Sequence, residues 1–201
     1  MLPPQQLHKI HFNDDEYPEI IKAASVDNII RVRELLDSGT SPDTIGPDGR
    51  TALRMAAAGN FYGVAYELLK RGAKADITNH TGRTPLMAAC SCGNDEIVSL
   101  LLFYGANPDL FDIDGLTALM IATDAGFYSI VGLLIDFIPR INITAVDSRG
   151  RSALDIAIAN RDHKLSHMLI AAGALEIGSR PFENRPRMEY SNPSFAVEVG
   201  V

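Results

Sequence analysis

Few residues in this chain have the type and spacing that chemistry needs. His163 and His167 lie four apart on a stretch with helical character, so they share one face. A metal centre there would need two more ligands, and none is near in sequence. Cys90 and Cys92 are the only thiols and stand two residues apart, too close for an ordinary bridge. Read singly, Cys90 is an inert thiol in an alanine-rich helix. Cys92 is a surface-tolerated thiol without a neighbouring cation in the sequence to activate it. The acids Asp14-Asp15 and Asp112 with Asp114 read as surface and turn residues, not as a general acid/base pair. His8 and His11 fall in a segment without periodicity. There is no phosphate-binding Gly-x-x-x-x-Gly-Lys loop, no Gly-x-Gly-x-x-Gly after a strand and no Gly-x-Ser-x-Gly elbow. The chain is therefore expected to be no enzyme, with no catalytic, cofactor-binding or metal-binding residue and no cofactor.

Bulk properties narrow the remaining classes. The 201 residues carry a net charge of −7, which disfavours general binding to nucleic acid or to anionic membranes. No apolar run approaches the roughly 20 residues of a spanning helix, and the first residues, Met1 to Gln6, do not read as a secretion signal. With no disulfide framework, an intracellular setting, cytoplasmic or nuclear, is expected. The apolar content is small and aliphatic, with 23 Ala, 20 Leu and no Trp.

The elements that position these residues recur. Gly39, Gly72 and Gly105 are spaced by 33, as are Gly49, Gly82 and Gly115. Thr51, Thr84 and Thr117 follow the same step, then Leu53, Leu86 and Leu119, then Ala56, Ala89 and Ala122. The register continues, after a slip of two, into Gly150, Ser152, Leu154 and Ala157. Within one unit, Thr84 before Pro85 predicts a capped helix start with proline at the first helical position. The segment 84–91 is rich in alanine, so two helices can approach closely there. Ile97, Val98, Leu101 and Leu102 make one apolar face of a second helix, which Gly105 ends in the left-handed conformation. Asn60, standing where a glycine would serve, is compatible with the same left-handed turn. One such unit cannot bury its own apolar face, so neighbours must stack.

Read through as Gly82-Arg83-Thr84-Pro85-Leu86-Met87-Ala88-Ala89, then Gly93-Asn94-Asp95-Glu96-Ile97-Val98 and Gly105-Ala106-Asn107-Pro108-Asp109, this unit resembles the ankyrin repeat. The resemblance covers roughly residues 17–177. It implies an all-α repeat solenoid of helix-turn-helix units with β-turn connections, in one elongated domain. The units fall at about 17–47, 48–80, 81–113, 114–148 and 149–177, between flanks 1–16 and 178–201. The first unit lacks the Gly-x-Thr entry and carries Lys22, Arg31 and Arg33, as a terminal cap would. The fourth lacks the closing Gly-Ala and has Pro139 near its end, which reads as a tolerated loop insertion. Residues 1–16 and 178–201 read as poorly ordered or draped on the array. The terminal Val199-Gly200-Val201 also offers a weak match to a PDZ-domain ligand.

The resemblance also implies the working surface. Family members bind proteins through the turn tips and the exposed face of the inner helices. Carried onto this sequence, the tips are Pro47, Asp48 and Arg50; His80, Thr81 and Arg83; Ile113, Asp114 and Leu116; and Ser148, Arg149 and Arg151. The inner-helix positions are Ala58, Gly59, Ser91, Cys92, Asp124, Ala125, Ala159 and Asn160. Four tip arginines in an acidic protein, interrupted by Ile113 and Leu116 as an exposed apolar pair, suggest a partner presenting acidic groups around one apolar anchor. Tyr62 and Tyr128, beside half-buried Phe61 and Phe127, offer a second exposed surface. The expected role is a non-catalytic adaptor or scaffold, monomeric unless complexed. A stoichiometric inhibitor of an enzyme or transcription factor is the alternative, and a groove-based enzyme the remote one.

Overall fold

A computed structural model describes residues 17–136 and 141–174. Pro139 and both flanks, with the C-terminal valines, His8, His11, Asp14 and Asp15, lie outside the described residues. The chain divides into two compact units, Met1–Asn107 and Pro108–Val201. The first holds α1 (Glu19–Ser25), α2 (Ile29–Asp37), α3 (Ala52–Gly59), α4 (Tyr62–Lys70), α5 (Pro85–Cys92) and α6 (Asp95–Phe103). The second holds α7 (Ala118–Asp124), α8 (Tyr128–Asp136), α9 (Ala153–Ala159) and α10 (His163–Ala171). All regular structure among the described residues is thus helical, as an all-α array requires.

Inner helices α3, α5, α7 and α9 each start on a hydroxyl cap, whereas α1 follows Pro18 without one. Thr51, Thr84, Thr117 and Ser152 accept from the backbone N–H groups of Arg54, Met87, Met120 and Asp155. These satisfy donors that the first helical turn cannot pair internally. Pro85 occupies the first turn of α5, where a missing N–H costs nothing. Between the two helices of a pair, one residue must take positive φ. Asp27, Asn60, Gly93, Gly126 and Arg161 all do so, so the expected left-handed Asn60 is seen at φ 59°. Outer helices α2, α4, α6 and α10 then close on glycines of positive φ, including Gly105 at 85°, whose N–H donates to the Leu102 carbonyl at 3.0 Å.

Packing follows the sequence columns. In the first unit α3 lies between α1 and α5, while α4 lies between α2 and α6. In the second, α7 packs on α9 and α8 on α10. Ala56, Ala89, Ala122 and Ala157 are fully buried along the inner row. Leu53, Leu86, Leu119 and Leu154 fill the space behind them. A ladder of side-chain staples ties one repeat to the next. Asp43 accepts from Lys74 N–H at 2.8 Å, Asp76 from Asn107 N–H at 3.0 Å and Asp109 from Asn142 N–H at 2.7 Å. Burial raises the Asp76 carboxyl above its usual range, while the Asn107 N–H opposes that rise. Asn94 donates from its side chain to the Ala57 and Ala58 carbonyls at the end of α3. On the outer row, buried Glu67 of α4 pairs with Arg33 of α2 at 3.2 Å and with Arg71 at 3.3 Å. Arg33 thus clamps two repeats together and is more than a solvating cap residue.

Two stability outcomes follow. Leu86→Ala and Leu119→Ala should each cost about 2–5 kcal/mol, since both side chains are sealed in the core. Urea unfolding checks this, and unchanged midpoints would contradict the register. Arg161→Gly should instead stabilise by about 0.5–1 kcal/mol, because it removes a side chain from a left-handed backbone at φ 56°. A raised melting temperature is the readout.

Candidate functional site

The tips are hairpin-like turns built around one acceptor side chain. Asn79 Oδ1 accepts from the N–H of Thr81 at 3.2 Å and of Arg83 at 2.9 Å. Asp112 Oδ1 accepts from Asp114 and Leu116, both at 3.0 Å. Asp147 Oδ1 accepts from Arg149 at 2.9 Å and Arg151 at 2.8 Å. These Asx turns fix the loop from inside, which is why Asp112 and Asp147 are buried. In the first tip the same column holds Gly46. A Cβ there would lie 2.9 Å from the Tyr17 ring and 3.2 Å from Ile21. Neighbouring tips within a unit also touch: His80 N–H donates to the Asp48 carbonyl at 3.2 Å, and Ser148 N–H to the Asp114 carbonyl at 2.9 Å. Gly49 is required by that contact, because a Cβ on it would come within 2.8 Å of the His80 backbone nitrogen.

The structure sorts the sequence candidates by what they are free to do. Pro47, His80, Thr81, Ile113, Asp114, Ser148 and Arg149 are exposed on the tips. Asp48, Arg50, Arg83 and Arg151 are half-buried. Leu116 is also half-buried, so the expected exposed apolar pair reduces to Ile113, 58% exposed. Arg151 and Arg50 are engaged by their own loops. Arg151 grips Asp147 with Nε at 2.9 Å and Nη2 at 2.7 Å, and Arg50 forms an ion pair with Asp48. On the inner helices Ser91 is exposed and Cys92 half-buried, while exposed Asp124 accepts from the Asn160 side chain at 3.1 Å.

Arg54 is the residue that the sequence reading passed over. It stands on α3 in the column that holds Met87 and Met120 one and two periods later. It is half-buried, and its Nε–H is sealed from solvent with no acceptor. Arg50 Nε is equally sealed, though it forms an ion pair with Asp48. A buried donor left unpaired costs about 1–3 kcal/mol. Burial pulls the Arg54 guanidinium down to about 10, and the charges of Arg50 and Arg83 push the same way. Cys92 lies close enough to act on Arg54, so a cation is near this thiol in space although none is near in sequence. The break in the methionine column was the available signal.

Other chemical candidates find structural roles. Cys90 is buried, and burial pushes its thiol far up, away from reactivity. His163 and His167 are exposed on α10, and no group of metal ligands forms among the described residues. Phe61 and Phe127 are half-buried and Tyr62 and Tyr128 exposed, as their order in the outer helices implies. The Tyr128 hydroxyl donates to Asp162 at 2.7 Å, and Lys164 lies over its ring at 4.5 Å, so Tyr128 is engaged by the N-terminus of α10. Tyr62 instead stacks on Tyr66, with ring centroids 6.5 Å apart.

Helix pairs in register, joined by turn tips and stapled to their neighbours, define a helical repeat protein. The family model "Ankyrin repeats (3 copies)" matches residues 20–112, and "Ankyrin repeat" matches residues 114–148. The chain belongs to the ankyrin repeat family. Proteins of this family are in general non-catalytic and bind other proteins. A search of curated proteins found no match. No helix among the described residues is long and apolar enough to cross a membrane.

The cap of α10 carries a pH signature. The Leu165 N–H, and then the Tyr128 hydroxyl, hold the Asp162 carboxyl below its usual range. Its contribution is therefore complete above the unfolded value of about 3.9 and is lost as pH falls through the lower folded value. Asp162→Asn should melt below wild type at pH 7 and converge with it in strong acid. A constant gap down to the acid end would contradict this.

Proposed function

We propose that this chain is a non-catalytic interaction module, an adaptor or scaffold that captures a protein partner through its tips and inner-helix faces. The observation that carries this reading is the second unit's pair of tips. Ile113 projects from a loop locked by Asp112, and Arg149 projects from the next, locked by Asp147. The two loops are joined through Ser148 and Asp114, so an apolar anchor and a free guanidinium are presented on a stiff frame. Such preorganisation lowers the entropy cost of binding. Arginine beside an apolar anchor suits a partner that surrounds one hydrophobic side chain with carboxylates. Arg50 and Arg151, each paired within its own loop, are assigned to holding tip shape.

Affinity capture with the intact chain as bait tests this. Ile113→Asp and Arg149→Glu should each deplete the captured partner severalfold while leaving the melting temperature within about a degree, since both side chains are exposed. Equal recovery by wild type and the double variant would refute the tip assignment.

A further inference from the structure

The last repeat carries apolar side chains into water at positions where earlier repeats bury theirs. On the inner row, Ala24, Ala57, Cys90 and Thr123 share one column and are all buried. Ile158 of α9 takes that column and is 47% exposed. On the outer row, Leu36, Leu69 and Leu102 are buried and Ile135 half-buried, whereas Ile170 of α10 is 48% exposed. The first repeat shows which way these columns face. α1 and α2 open the described array and pack forward on α3 and α4, yet Ala24 and Leu36 are already buried. Both columns therefore face the following repeat, and α10 is the last of the described helices. A terminal repeat built to meet water carries a polar outer face. Here isoleucine stands at both positions.

We propose that the segment following α10 covers this face, with Leu175, Ile177 and Phe182 packed on Ile158 and Ile170. The path of the chain favours this occupant. Gly173 turns at φ 98° and donates its N–H to the Ile170 carbonyl at 3.0 Å, while Ala174 donates to Leu169 at 2.9 Å. The chain thus leaves α10 beside Ile170, with Ala174 buried. Leu175, Ile177 and Phe182 are the next apolar side chains. Extended backbone spans up to about 3.6 Å per residue, so Phe182 can lie about 29 Å from Ala174. Crossing from α10 to α9 takes about 10 Å. A tethered segment also meets the face at an effective concentration that a separate molecule rarely matches. Side-chain size selects against a further repeat or a second copy stacked in register. The buried members of the inner column are Ala, Ala, Cys and Thr, which let a helix lie close. Isoleucine at 158 holds a helix further out, whereas an extended segment can pass beside it. The end of the array is then closed by the chain itself and is not a further docking face.

The test is a double-mutant cycle in the full chain. One variant changes the segment (Leu175→Ser, Ile177→Ser and Phe182→Ser), a second changes the face (Ile158→Ser and Ile170→Ser), and a third combines them. Each of the first two should lower the urea midpoint. The combined variant should unfold no earlier than the weaker of the two, because both remove the same contact. Additive losses, or a segment variant with the wild-type midpoint, overturn the proposal. Amide hydrogen exchange supplies a second readout that does not need the face variant to fold. The segment variant should speed exchange in α9 and α10 at least about tenfold and leave α3 and α5 unchanged. Unchanged exchange in α9 and α10 counts against the segment. Light scattering separates the other occupant. A wild-type dimer that the face variant dissociates and the segment variant preserves would assign the face to a second copy and overturn the proposal.

Discussion

A pair of seven- to nine-residue helices has too little surface to bury its own apolar face. Everything else in each unit answers that shortage. The inner row is reduced to alanine at its contact positions so that helices approach closely, and Leu53, Leu86, Leu119 and Leu154 fill what remains. Stacking alone would leave neighbouring repeats free to slide. The aspartates at 43, 76 and 109 prevent this, each binding one backbone N–H of the following repeat. A hydrogen bond to a charged acceptor is directional and contributes about 1.5–3 kcal/mol, so it sets register where dispersion cannot. The Arg33–Glu67–Arg71 cluster does comparable work on the outer row.

The same economy governs the tips. A tip loop is stiffened from inside by one acceptor, Asn79, Asp112 or Asp147, and by a glycine of positive φ. Stiffening consumes charge. Asp147 is surrounded by its own loop's N–H groups and by Arg151, so neither residue is available to a partner. What this leaves facing solvent on the second unit's tips is Ile113 and Arg149.

Much of this was legible in the sequence because repetition makes each structural need visible several times. The hydroxyl caps, the left-handed Asn60, the closing glycines and the buried leucines all stand in columns whose chemistry is local. The site was legible only in outline. Arg50, Arg83, Arg149 and Arg151 look alike as letters on a turn, yet one donates twice to one oxygen of a buried aspartate and another projects into water. Arg54 broke a methionine column, but the burial of its Nε–H without an acceptor is visible only once the repeats are packed.

What the chain's sequence determined by itself is therefore the repeat, its period and the helix ends, because caps, turns and apolar periodicity act over a few residues. Only the tertiary structure decided which charges are spent and which are available. Charge pairing depends on distances between residues about 33 positions apart, as in Arg33 with Glu67 and Asp76 with Asn107, and on the burial that stacking imposes. Coulombic attraction and desolvation are set by that geometry.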